Sequence, residues 1–158
     1  MGRFWVIMDV ARMLTWTADR YPGRRAVGGP RPLTYRQWDA RTNQLARALA
    51  GLGVAPGDRV AFLLAGGEPM ASLHLAVQKL GAAAVPLSIR FGPAELAYCV
   101  QDAEPALVLA DDSTAANLAH APVTLARLDE LAQREPDGEL ETSTTRTPTP
   151  ARSAMAGI

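Results

Sequence analysis

Three runs in this chain are almost wholly apolar and too short to be helices: RVAFLL at 59–64, AAAVPL at 82–87 and PALVLA at 105–110. A strand with one wet face alternates apolar and polar residues, so strands apolar at successive positions are covered on both sides. Between the first two runs, Met70, Leu73, Val77 and Leu80 recur at helical spacing over residues 68–80. Between the second and third, Pro93 stands at a first helical turn with Glu95 close behind, and the helix is predicted to run through Gln101. Strand, helix, strand, helix, strand is the pattern of parallel pairing through right-handed crossovers. The fold class is therefore α/β, a parallel sheet of three to four strands with flanking helices.

The segments on either side extend this frame. Residues 9–20 place Val10, Met13, Leu14 and Thr17 on a predicted helical stripe, stopped by Tyr21-Pro22-Gly23. Gly28-Gly29 turns a small hairpin between Ala26-Val27 and Pro32-Leu33. Thr34-Tyr35-Arg36-Gln37 fits a capping box and opens a helix expected to bury Trp38, Leu45, Leu49 and Leu52 before ending at Gly51–Gly53. Gly81 caps the helix before the second strand. With Ala82–Ala84 it is expected to let helix and strand backbones approach, and Pro86 to close the strand where no ladder N–H is needed. A short helix at 113–119, a strand at Val123–Leu125 and a helix at 127–134 complete the expected order. Residues 135–158 are expected to be a disordered tail, since ETSTTRTPTPARSAMAGI holds five Thr, two Ser and two Pro and no apolar face.

Sixteen basic and sixteen acidic residues leave no net charge, so nothing global favours nucleic acid or an anionic membrane. The basic residues are fifteen Arg and one Lys, Lys79, a bias of GC-rich coding. Cys99 is the single cysteine and reads as a small core residue in a reducing compartment. Phe4–Met8 is too short for a signal core or a span, which makes cytoplasmic the default and residues 1–8 an extra segment ahead of a start at Met8.

Chemistry-bearing motifs are few. Neither G-x-G-x-x-G nor G-x-x-x-x-G-K-[ST] occurs. Gly66-Gly67 lies between a strand and a helix, where an anion cradle belongs, but Glu68 at the helix start would repel phosphate. His74 and His120 lack metal-spaced partners, and G-x-S-x-G is absent. Asp111-Asp112, at a strand's carboxyl end, reads as a solvated capping pair, and Arg24-Arg25 with Arg31 as a wet loop surface. No catalytic, cofactor-binding or metal-binding residue is assigned.

Taken in order, three segments resemble the N-terminal part of the adenylate-forming (AMP-binding) superfamily, acyl-CoA synthetases above all. Leu33-Thr34-Tyr35-Arg36-Gln37-Trp38 is similar to the family's L-T-Y-x-E-L, with Gln37 and Trp38 replacing Glu and Leu. Leu49 to Ala61 resembles L-x-x-x-G-V-x-x-G-D-R-V-A, and Lys79 to Leu87 resembles K-x-G-A-x-x-V-P-L. Pro93–Tyr98 and Leu107–Asp111 look like the downstream P-x-E-L-A-Y and L-V-x-A-D. The resemblance spans residues 9–112, more loosely to 134, and implies an incomplete N-terminal subdomain of that fold over 9–134. It implies a full-length enzyme that activates a carboxylic acid with ATP and Mg²⁺ and passes the acyl group to CoA. The family's phosphate loop, adenine pocket, ribose-binding aspartate and catalytic lysine are matched by no segment here. The Thr142–Pro148 stretch echoes the loop in composition but lacks its glycines and lysine.

The expected function is that of a truncated N-terminal piece of an acyl-CoA synthetase, inactive alone and binding ATP, Mg²⁺ and CoA poorly. A change of reading frame near 138–141 is one origin for the truncation. Two alternatives stand beside it: a piece of an amino-acid or aryl-acid adenylation domain, and a non-catalytic module binding a full-length synthetase. A cut parallel sheet exposes an edge and apolar helix faces, so self-association or dependence on a partner is expected. Fatty acid metabolism is the anticipated setting.

Overall fold

The computed structural model describes residues 10–138 and Leu140. The expected segment 1–8 and the tail from 141 onward lie outside the described residues. Helix α1 (Val10–Arg20) leads into a hairpin, β1 (Arg25–Val27) and β2 (Leu33–Thr34), and then into α2 (Tyr35–Gly51). The α/β unit follows as β3 (Arg59–Leu63), α3 (Glu68–Lys79), β4 (Ala83–Pro86), α4 (Pro93–Ala103), β5 (Leu107–Ala110), β6 (Val123–Thr124) and α5 (Leu125–Ala132), with a 3-10 turn at Ala115–Asn117. The four strands β4-β3-β5-β6 form one parallel sheet, and β1 and β2 pair antiparallel.

Strand alternation divides the core. Val60, Phe62 and Leu64 face a large cluster with α2, α3 and α5, built on Leu45, Leu49, Leu73, Val77, Leu109 and Leu128. Ala61 and Leu63 face the other way, into a smaller cluster with Leu87, Leu96 and Ala110, against which Cys99 is half-buried. Both faces are covered, which is why these strands carry no polar alternation.

Two helices end in the same device. Ala82 N–H donates to Val77 O and Gly81 N–H to Gln78 O; Val54 N–H donates to Leu49 O and Gly53 N–H to Ala50 O. These are Schellman terminations, which need a left-handed residue at the position Gly53 and Gly81 occupy, at φ +94° and +73°. A Cβ on Gly81 would meet Pro56 Cβ at an ordinary 3.5 Å. The glycine is there for its backbone angle, not for the close helix–strand approach expected from sequence.

Pro86 closes β4 as expected: it is the last residue of the strand, paired with Phe62. Ala83 and Leu87 donate their N–H groups to Asp58 O and Phe62 O of the β3 side. Alternation then aims the amide positions of Ala84 and Pro86 outward from the sheet, so the missing N–H of proline falls on the open edge.

Helix α1 is rotated from its expected stripe. Ala11, Leu14 and Ala18 are buried, while Val10 and Met13 are 56% and 49% exposed. Ala11 and Ala18 flank Leu14 on the buried face, and α1 packs against α2 and α3. Trp38 is half-buried rather than in the core, and its indole N–H reaches the buried Ser72 Oγ at 2.8 Å. Helix α5 starts two residues earlier than expected, since Thr124 caps it through Arg127 N–H. Residues 135–138 return to α2. The carbonyls of Glu135, Pro136, Asp137 and Gly138 accept hydrogen bonds from Gln44, Arg47 and Asn43 of α2.

Candidate functional site

The strand order places a crevice. The crossover from β3 through α3 lies on one face, and the segment leaving β5, with Ala115 and Leu118, packs on the other. The connections leaving the carboxyl ends of β3 and β5 therefore diverge, and open α/β sheets bind ligands at such a switch point. Ala65-Gly66-Gly67 leaves β3 at this point and Asp111-Asp112-Ser113 leaves β5.

Asp111 closes this crevice. Its carboxylate accepts from Ala65 N–H at 3.3 Å, Ser113 Oγ at 2.6 Å, Thr114 N–H at 2.9 Å and Thr114 Oγ1 at 2.9 Å. The buried Thr114 hydroxyl also lies 2.6 Å from Leu63 O. The Ser113 hydroxyl, then Thr114 and the backbone amides, hold the carboxyl below the usual aspartate range against the opposing effect of desolvation. Asp112 is exposed. Gly66 and Gly67 adopt positive φ, and Gly67 caps α3 without a side-chain bond.

Glu68 does not aim at the helix end. Its carboxylate takes Arg41 Nε at 2.7 Å and the Ser72 hydroxyl, and Arg41 Nη2 reaches Asp129 at 3.1 Å. Burial lowers the Arg41 pKa, but Glu68 and Asp129 more than offset it and raise the guanidinium above its ordinary value. The expected repulsion by Glu68 is thus neutralised, and Asp111 and Asp112 are the acidic residues at the crevice. With these carboxylates in place and no lysine there, these residues do not fit a nucleoside triphosphate. No step of acid activation is assigned to them.

A second polar centre was not foreseen. Lys79 Nζ lies 2.7 Å from Asp39 Oδ1 and 2.5 Å from Asn43 Oδ1, and Thr15 Oγ1 donates to Asp39 Oδ1 at 2.8 Å. The cluster joins α1, α2 and α3. The available signal is a lone lysine beside an apolar stripe, with Asp39 and Asn43 one helical turn apart. His74 is half-buried, edge-on to Phe62 at 6.4 Å and 2.9 Å from the Gln78 amide, as expected of a packed histidine. Among the described residues no three His, Cys, Asp or Glu side chains are grouped to hold a metal. Nor is any helix among them long and apolar enough to cross a membrane.

The family model for AMP-binding enzymes matches residues 14–156. The chain belongs to the AMP-binding enzyme family. It is 38% identical over 81 residues to a 3-hydroxybenzoate/4-hydroxybenzoate–CoA ligase of Thauera aromatica, a match over 51% of this chain and 16% of that protein. It is 40% identical over 88 residues to malpibaldin synthetase of Mortierella alpina, over 56% of this chain and 2% of the relative. In structure it is similar to the N-terminal domain of FACL13 from Mycobacterium tuberculosis, with a TM-score of 0.78 and 26% identity over 87% of this chain and 39% of that one. This AMP-binding chain therefore spans a sixth or less of these two curated relatives and follows the N-terminal fold of the family.

Proposed function

We propose that this chain is the N-terminal scaffold of an ATP-dependent carboxylic acid–CoA ligase and does not complete acid activation alone. One observation carries this. The distinctive groups of the Lys79–Leu87 segment are all engaged in architecture: Lys79 in a buried ion pair, Gly81 in a helix terminator, Pro86 on a strand edge. None is left to touch a nucleotide. In the whole ligase, later segments would bind ATP with Mg²⁺ and CoA, and the acid would be an aromatic or fatty carboxylate. The hydroxybenzoate relative supports the aromatic choice. ATP–pyrophosphate exchange with a panel of both acid classes tests the reading. Turnover above background by this chain overturns it.

The 34% identity over 104 residues to a probable non-canonical nonribosomal peptide synthetase of Salinispora arenicola favours a second reading, an amino-acid adenylation unit of a peptide-assembly enzyme. Sequencing the locus downstream and assaying the completed protein with amino acids and with aryl acids separates the two. Co-purification of this chain with a full-length synthetase would instead support a non-catalytic binding module.

A further inference from the structure

The outward face of α1 is apolar where a solvated helix face should be polar. Val10, Met13 and Trp16 follow one another along it, 56%, 49% and 48% exposed, opposite the buried Ala11, Leu14 and Ala18. Basic groups frame this stripe. Residues 10–25 carry Arg12, Arg20, Arg24 and Arg25 against the single acid Asp19. The Arg20 and Arg24 guanidiniums lie 5.5 and 5.4 Å from the Tyr21 ring centroid, and Arg20 Nε donates to the Tyr21 hydroxyl at 3.0 Å. Among the described residues Arg20, Arg24 and Arg25 form no salt bridge.

We propose that this face docks the protein on an anionic phospholipid surface, with Met13 and Trp16 entering the interface and the arginines on the headgroups. An exposed tryptophan beside a thioether suits the acyl boundary, and guanidiniums that stand on an aromatic ring are held at headgroup height. Each arginine near an anionic membrane adds attraction that salt screens. The other exposed apolar group, Ile89, Phe91 and Tyr98, lacks this character, since Glu95, Asp102 and Glu104 outnumber Arg90 around it. The two faces are therefore chemically distinct, and the lipid assignment applies to α1 alone. It stands independently of the acid-ligase reading.

Flotation of the full chain with phosphatidylcholine vesicles, with and without phosphatidylglycerol, tests it. Binding is expected only to the anionic vesicles and falls with salt. The triple variant R20E/R24E/R25E should weaken it at least tenfold, and M13S/W16S several-fold. Phe4–Met8 is unchanged in both variants, and all substituted side chains are exposed, so circular dichroism melts should match wild type. Equal binding to neutral vesicles, no binding by wild type, or binding indifferent to either variant overturns the proposal. Binding to soluble polyglutamate as strong as to vesicles, insensitive to M13S/W16S, would assign the face to acidic protein partners instead.

Discussion

Lys79 and Asp39 meet 2.7 Å apart with only 6% and 13% of their side chains exposed, the ammonium of α3 against the carboxylate of α2. Desolvation makes such a pair costly to break from one side, because the survivor is left charged without its partner. Lys79→Met is expected to destabilise the chain by about 3–5 kcal/mol. The double variant K79M/D39L should recover a large part of that loss. Urea denaturation of the four species gives the answer, and a fully additive cycle would show that the pair is not coupled.

Thr34 Oγ1 accepts from Gln37 N–H at 3.3 Å while Gln37 Oε1 takes Thr34 N–H at 2.9 Å. Both groups are near the surface, so capping and not packing is at stake. Thr34→Ala should cost about 1 kcal/mol and Thr34→Ser very little. Similar losses for the two substitutions would mean that the methyl, not the hydroxyl, matters.

Gly81 sits at φ +73°, where an L side chain is strained whatever the space. Gly81→Ala should cost about 1–2 kcal/mol and Gly81→Asn less, because asparagine tolerates that region. A neutral alanine would remove the backbone explanation for this glycine.

The lowered pKa of Asp111 links stability to pH. Its folded value is below its unfolded value, near the ordinary aspartate figure of about 4. The stabilisation is therefore whole above the unfolded value and is lost as pH falls through the folded one. Asp111→Asn should lower the melting temperature at neutral pH, and its deficit relative to wild type should shrink on acidification below about pH 4. A deficit that stays constant across that range would deny the linkage.

Pro86 removes an outward N–H from the open edge of β4. Pro86→Ala restores it and should raise the concentration-dependent light scattering of the chain, with little change in its melting temperature. An unchanged scattering profile would place any self-association elsewhere, on the apolar helix faces.

Sequence by itself determined the strands, the crossovers and the helix ends. Continuous apolar runs require burial on two faces, and a glycine past a helix or a threonine before one acts through its own neighbouring amides. Such effects are local and leave a trace in residue order. Only the tertiary structure decided what the polar groups do. Whether Glu68 faces a ligand or Arg41, whether Asp111 reaches across to Ala65, and whether Lys79 is surface or core depend on partners 27 to 46 positions away in the chain. The orientation of α1 was settled the same way. Its apolar residues are spaced to favour either of two faces, and packing against α2 and α3 buries Ala11, Leu14 and Ala18, leaving Met13 and Trp16 outside.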